Sequence, residues 1–160
     1  RILTGHDTIV LVLGDGRLMS LTEKPPRVKL ELLFRKNLFP TALALAHSQG
    51  YDPATIADIH RRHAEHLYSK GDVRAAADEY IHTLGWLEPS RVIPQYLEAP
   101  RIGHLTRYLQ ALQGDPRGLA RPQHATLLMT CYAKLKEKEK LEAFVESCCA
   151  GGSNRLSVWC

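Results

Sequence analysis

Residues 63–90 have the sequence HAEHLYSKGDVRAAADEYIHTLGWLEPS, and this stretch decides the fold of the chain. Its apolar side chains recur at intervals of three and four residues in two runs, which predicts two helices. Gly71 separates the runs, and a glycine can reverse the chain in the left-handed conformation without a clash of Cβ. Gly85 and Pro89 follow the second run and close it. The stretch therefore predicts a hairpin of two antiparallel helices.

Small residues on both runs indicate where the two helices approach each other. The candidates are Ala64 and Ala76, with Leu67 and Tyr80 filling the space beside them. Together with Gly71, this order of small residue, large residue, glycine, alanine and tyrosine resembles the tetratricopeptide repeat. These five residues form the predicted repeat signature. The signature predicts helix packing and says little about a ligand.

Helical spacing of apolar residues continues through most of the chain and predicts about eight helices. We expect them to pair within residues 27–49, 53–84, 90–113 and 122–147. A unit of roughly 30–40 residues with short links is typical of stacked helical hairpins, an α-solenoid. The predicted fold class is therefore mainly α.

Capping residues and prolines place several helix ends. The dipeptide Asp52-Pro53 is a strong helix start, and Asp72 can cap the helix that follows Gly71. Asn37 can cap a helix that has a proline in its first turn. Pro94 lies a full turn into a helix expected from residue 90, so we expect that helix to kink or to begin late.

The beginning of the chain differs from the rest. Residues 7–22, DTIVLVLGDGRLMSLT, place strand-forming residues on both sides of Gly14-Asp15-Gly16. Such a turn sequence predicts a β-hairpin. A single hairpin is only marginally stable in water, so we expect this one to belong to the edge of a larger sheet. Pro25-Pro26 then ends the strand and stiffens the link to the helices.

Composition and charge make several classes of protein improbable. The chain has 160 residues and a net charge of +4, with 11 basic and 10 acidic residues in 1–80 and 10 and 7 in 81–160. Nucleic-acid-binding proteins concentrate basic residues on one surface, and this even distribution predicts no nucleic-acid partner. No run of about 18 apolar residues occurs, and we expect neither a transmembrane segment nor a signal peptide.

Cysteines and histidines do not have metal-ligand spacing. The four cysteines are Cys131, Cys148, Cys149 and Cys160. They form no CxxC pair, so we expect reduced thiols in a cytosolic protein. Successive helical residues turn by about 100°, so His60, His63 and His66 cannot all face one ion. The sequence therefore predicts no metal site and no cofactor.

Catalytic patterns are equally weak. The glycines at 14 and 16 belong to a hairpin turn and not to a phosphate-binding loop, because no helix follows them. Cys131 lies on an apolar stripe and is expected in the core. Residues 134–142, KLKEKEKLE, alternate in charge sign, which is typical of an exposed helix surface. We expect no catalytic residues and no enzyme.

A closer resemblance emerges from the order of several stretches. They are GDGRLMSLTEK at 14–24, KLELLFRKNLFPTALALAHSQG at 29–50, HLYSKGDVRAAADEYIHTLGWLEPSRVI at 66–93, RIGHLTRYLQAL at 101–112 and HATLLMTCYAKLKEKEKLEAFVE at 124–146. In order and spacing they resemble the vacuolar protein sorting-associated protein 11 family, over residues 10 to about 147. Members of that family are core subunits of the HOPS and CORVET tethering complexes.

The resemblance implies a domain organisation. In that family a β-propeller leads into an α-solenoid related to clathrin heavy-chain repeats. Residues 1–24 would then be the terminal β-hairpin of a propeller, residues 25–148 the solenoid, and residues 149–160 a disordered or atypical tail. The family's RING finger is expected to be absent from this chain, since no Cys/His zinc set occurs.

The resemblance also implies a function. The chain would be a scaffold segment of a membrane-tethering subunit that acts in vesicle transport and fusion at the endosome and the vacuole or lysosome. The implied partners are the other class C vacuolar sorting subunits, and Rab GTPases indirectly through the complex. The implied location is cytoplasmic and peripheral on the late endosome and vacuole membrane, reached through those partners.

Two other functions are compatible with helical repeats. A tetratricopeptide-like module would bind a peptide in a basic groove, for which Arg61, Arg62 and Lys70 are the available residues. An RNA-binding repeat would need one base-reading set in each repeat, and no set recurs.

Overall fold

The computed structural model describes residues 2–5 and 8–150, with side chains described from residue 9 to residue 147. The strands in this part of the chain are β1 Ile2–Gly5, β2 Thr8–Val12 and β3 Leu18–Thr22. The helices are α1 Pro26–Arg35, α2 Phe39–Ser48, α3 Pro53–Ser69, α4 Val73–Ile81, α5 Pro89–Val92, α6 Ile102–Gly114, α7 Pro122–Leu135 and α8 Lys138–Ala150. The predicted mainly α fold with about eight helices is confirmed.

The chain divides into two compact units, Arg1–Ala42 and Leu43–Cys160. The change from strand to helix falls between Thr22 and Pro26, close to the domain boundary predicted at residues 24 and 25. The boundary between the units lies further along the chain, inside α2. The assignment of residues 1–24 and 25–148 to two domains of different origin stays a prediction.

The first unit contains an antiparallel sheet with strand order β1-β2-β3. The predicted hairpin is confirmed as β2 and β3, whose turn closes through a hydrogen bond from the Leu13 N–H to the Arg17 carbonyl at 2.9 Å. Gly16 has a φ of +83°, which the turn requires. The structure also contains β1, which is not part of the predicted hairpin. A run of four residues shows too little alternation to be predicted as a strand.

One face of the sheet is apolar and exposed to solvent. Ile9 lies opposite Leu21, and Leu11 lies opposite Met19 in the β2–β3 register. The exposed fractions of Ile9, Met19 and Leu21 are 44%, 48% and 48%. These side chains form an exposed apolar strip on one face of the hairpin.

Helix α1 ends in a way that differs from the expectation. Asn37 was expected to cap the following helix, but it has a φ of +55° and its N–H donates to the Phe34 carbonyl at 2.9 Å. Asn37 therefore ends α1, and α2 begins two residues later at Phe39. Asparagine tolerates the left-handed region better than most residues, which explains its use at this position.

The hairpin of α3 and α4 follows the predicted capping residues. The Thr55 N–H donates to Asp52 at the start of α3, and the Ala75 N–H donates to Asp72 at the start of α4, each at 3.0 Å. Gly71, between the helices, has a φ of +87°. The two predicted caps and the predicted glycine reversal are confirmed.

In the second unit the longer helices stack in succession. Helix α3 packs against α4, α4 against α6, α6 against α7, and α7 against α8. Contact between successive neighbours is the organisation of a solenoid. The shared core includes the buried residues Ala64, Ala77, Tyr80, Leu84, Val92, Tyr96, Ile102, Leu105, Tyr108, Leu109, Leu112, Leu128, Cys131 and Tyr132.

The α-helix expected from residue 90 is shorter than the apolar spacing predicts. Helix α5 has four residues, and a 3-10 segment, Ile93–Tyr96, follows it directly. Pro94 lies in that segment, where its missing N–H and its ring prevent a further α-helical turn. The helix therefore neither kinks nor begins late: it ends early and tightens.

The end of the described chain is helical. Helix α8 continues to Ala150, three residues beyond the predicted limit of 147. Of the predicted tail at 149–160, residues 151–160 lie outside the described residues. None of the helices in the described part of the chain combines the length and the apolar character that a bilayer crossing needs.

Candidate functional site

The predicted repeat signature lies on the α3–α4 hairpin. Ala64 and Ala76 are fully buried, Tyr80 is 2% exposed and Leu67 is half-buried. Ala64 belongs to the core cluster together with Ala77 and Tyr80, and Ala76 is buried outside that cluster. Direct contact between Ala64 and Ala76 therefore stays a prediction. The three buried members have no surface left for a ligand.

Two of the three clustered histidines meet one carboxylate. His60 Nδ1 lies 2.7 Å from one oxygen of Glu79, and His63 Nδ1 lies 3.1 Å from the other. The His60 ring also stacks on His82, with 4.7 Å between centroids. Among the described residues, no three His, Cys, Asp or Glu side chains converge on a possible metal position. The cluster thus ties α3 to α4 by charge and hydrogen bonding.

The pKa of Glu79 reflects this cluster. Burial alone would raise the pKa of the Glu79 carboxyl, since its side chain is only 21% exposed. The hydrogen bond from His60 and the charges of His63, His60 and His82 outweigh burial and lower the pKa below its ordinary value of 4.5. Glu79 is therefore ionised throughout the neutral range.

Replacement of Glu79 by glutamine should change how stability depends on pH. A carboxyl with a lowered folded-state pKa stabilises the protein above its unfolded pKa, and that contribution is lost as the pH falls through the folded pKa. The difference in unfolding free energy between wild type and Glu79→Gln should be largest above pH 4.5 and shrink below it. Urea unfolding at a series of pH values measures this difference.

A His60→Leu background, whose side chain cannot donate a hydrogen bond, provides the control for that series. Without the hydrogen bond from His60, burial opposes ionisation of Glu79 more effectively, and the pH-dependent difference should become smaller. The same pH dependence with and without His60 would contradict the assigned coupling.

Tyrosines attach the 3-10 segment to the hairpin. The Tyr68 hydroxyl donates to the Gln95 carbonyl at 3.0 Å, and Tyr80 donates to the Gln95 side chain at 3.3 Å. Arg101 donates to the Tyr68 hydroxyl and lies 5.2 Å above the Tyr68 ring. Burial raises the pKa of Tyr96, and the nearby Tyr80 raises it further, so the Tyr96 hydroxyl stays neutral. These contacts are structural, because they attach the 3-10 segment to α3 and α4.

The predicted core position of Cys131 is confirmed. Its side chain is 3% exposed, and burial raises the pKa of the thiol above its ordinary value of 9.0. A buried, protonated thiol is a poor nucleophile.

The basic residues considered for a peptide groove are largely engaged elsewhere. Arg61 pairs with Asp58 at 2.6 Å and with Glu65 at 2.7 Å, and Arg62 pairs with Asp58 at 2.8 Å. Lys70 is the C-cap residue of α3. The three residues do not form a free basic row.

A feature that sequence reasoning missed is the loop after α4. Trp86 in this loop is 55% exposed, and shallow recesses lie on both sides of it. One recess includes Ala57 and Arg91, the other Leu112 and Arg121. We call this surface the Trp86 groove. The available signal was a tryptophan outside every apolar stripe, between a glycine and a proline.

The loop that carries Trp86 is held by hydrogen bonds. The buried Thr83 carbonyl accepts the N–H groups of Trp86 and Leu87, each at 3.0 Å. Arg117 donates to the Leu84 carbonyl at 2.9 Å from a distant loop. Gly85 has a φ of +84°, and a Cβ there would lie 2.3 Å from Arg117 Nη1. The indole is therefore presented on a fixed backbone.

Comparison with known proteins shows which family this chain resembles. The family model described as PEP5/VPS11 clathrin repeat matches residues 68–155. The mouse vacuolar protein sorting-associated protein 11 homolog is 45% identical over 146 residues, 91% of this chain and 15% of the mouse protein. The Arabidopsis thaliana homolog is 46% identical over 137 residues, 86% of this chain and 14% of that protein. The chain thus spans 15% and 14% of the lengths of these two relatives.

Proposed function

Because this chain belongs to the family of vacuolar protein sorting-associated protein 11, we propose that it is a scaffold segment of a membrane-tethering subunit. The subunit would act in vesicle transport and fusion at the endosome and the vacuole or lysosome. The observation that carries this proposal is the succession of helix contacts from α3 to α8. Such a stack offers continuous surfaces to other proteins.

The titratable groups of the stack also favour a scaffold over an enzyme. Glu79 is held by His60 and His63, and burial raises the pKa values of Tyr108 and Cys131. Catalytic acids, bases and nucleophiles instead have pKa values matched to the working pH. These groups serve packing and helix attachment, so we assign this segment no catalytic role.

The proposed partners are the other class C vacuolar sorting subunits, with Rab GTPases acting through the assembled complex. The segment would reach late endosome and vacuole membranes from the cytoplasm through those partners. The dispersed charge of the chain, +4 over 160 residues, supports protein partners in preference to nucleic acid.

The β-sheet of the first unit is proposed to be the end of a propeller, as the family resemblance implies. Its support is the exposed apolar face that contains Ile9, Met19 and Leu21. Packing against a neighbouring sheet would cover that face. Residues 25–148 would then form the solenoid that follows the propeller.

An affinity capture experiment tests the scaffold role. The whole chain is immobilised and exposed to cell extract, and bound proteins are identified by mass spectrometry. We expect the other class C sorting subunits to be recovered together, and a tetratricopeptide domain of similar size and charge to recover none of them. Equal recovery on both baits, or recovery of a short peptide ligand alone, would refute the proposed role.

A further inference from the structure

We infer that the Trp86 groove is a docking site for a partner segment that carries an aromatic side chain next to carboxylates. This inference deepens the proposed scaffold role and rests on it. It places one point of contact on the loop between α4 and α5 and gives the chemistry of the segment that binds there.

The first argument is the cost of exposing Trp86. An indole with 55% of its surface open to water loses most of the apolar burial available to it. Tryptophan is also among the residues most enriched at the energetic centres of protein interfaces. The hydrogen bonds from Trp86 and Leu87 to Thr83 keep the loop in one conformation, so a partner would pay little to order it.

The second argument is the shape beside the indole. The recess on one side is lined by Ala57 and Leu87, and the recess on the other by Leu112 and Leu119. Leu87 and Leu119 are half-buried and offer apolar surface, whereas Ala57 and Leu112 are buried and offer almost none. An aromatic side chain of a partner can therefore stack on Trp86 and bury its edge against aliphatic groups.

The third argument is charge. Within the described part of the chain, Arg91 and Arg121 line the recesses and form no ion pair. Arg61, which also lines the groove, is already neutralised by Asp58 and Glu65. One carboxylate that lines the groove, that of Glu88, also forms no ion pair among the described residues, and it accepts a hydrogen bond from Ser90. The two guanidinium groups therefore leave the groove with an excess of positive charge. The groove thus favours carboxylates, which arginine binds in bidentate geometry.

Fluorescence anisotropy with a labelled peptide tests the site. The probe is a heptapeptide with one phenylalanine between two groups of three glutamates, titrated with the full 160-residue chain. Trp86→Ala and Arg91→Gln should each weaken binding at least about tenfold. The matched controls are Leu97→Ala, at a site 50% exposed, and Arg74→Gln, also exposed, and both should bind within about twofold of wild type.

Two further peptides separate the chemical contributions. Replacing phenylalanine by alanine, or all glutamates by lysines, should each abolish measurable binding. Circular dichroism confirms that the variants retain the helical content of wild type. The inference is overturned if wild type fails to bind the phenylalanine peptide at millimolar concentration, if Trp86→Ala binds it equally, or if the lysine peptide binds as well.

Sedimentation velocity tests whether a second copy of the chain is the occupant. A concentration-dependent dimer that Trp86→Ala abolishes would assign the groove to self-association and overturn the inference. Recovery of sorting subunits in the capture experiment, together with failure of the peptide to bind, would remove the docking site and leave the scaffold role intact. Failure of the capture experiment would instead remove the scaffold role.

Discussion

Replacing Leu109 by alanine should lower the free energy of unfolding by about 2–5 kcal/mol. Leu109 is fully buried in α6, the helix that packs against both α4 and α7. Its truncation removes apolar contacts and leaves a cavity that neighbouring side chains can fill only in part. Urea denaturation, followed by the circular dichroism signal of the helices, measures this loss of unfolding free energy.

Leu97→Ala is the control for that measurement. Leu97 is 50% exposed, and the same change of side chain there should alter the unfolding free energy by no more than about 0.5 kcal/mol. Equal losses at the two positions would mean that α6 is not the centre of the stack.

Replacing Ala76 by leucine should cost about 1–3 kcal/mol through overpacking. Ala76 is fully buried in α4, which packs against α3 and α6. The added side chain must displace its neighbours, because packed interiors contain few voids large enough to receive it. Thermal unfolding followed by circular dichroism should show a lower midpoint.

Ala133→Leu makes the same substitution at an exposed position of α7. It should leave the midpoint almost unchanged, since the leucine side chain extends into solvent. An unaltered midpoint for Ala76→Leu as well would argue against close packing of the α3–α4 hairpin.

The best predicted parts of the fold are those specified by local chemistry. Asp52, Gly71 and Asp72 act on backbone groups within three residues, so the sequence alone identifies the ends of α3 and the start of α4. The apolar stripe of α6 likewise predicts its buried residues, among them Leu105 and Leu109. Periodicity is informative here because one face of the helix is wholly buried.

Other features depend on contacts that no local pattern contains. Asparagine suits both the start of a helix and a left-handed end, and at Asn37 the structure uses the second. Ala77, and not Ala76, belongs to the core cluster with Ala64, a choice between adjacent residues that helical spacing cannot resolve.

The Trp86 groove could not be predicted for the same reason. Its loop is held partly by Arg117, which lies 33 residues from Leu84 in sequence. Glu79 likewise meets His60 from 19 residues away, a contact that a ligand-spacing rule along one helix does not consider. Both sites arise from the way the helices are stacked.

The linkers on the two sides of α6 contain Pro89, Pro94 and Pro100 before it and Pro116 after it. Proline fixes φ, so each of these prolines reduces the conformational freedom of its linker. Helix α6 also contacts α4 and α7 directly. A tensile load applied at α3 would therefore pass to α7 through the packing of α4 and α6 as well as through the linkers. This part of the chain would resist extension.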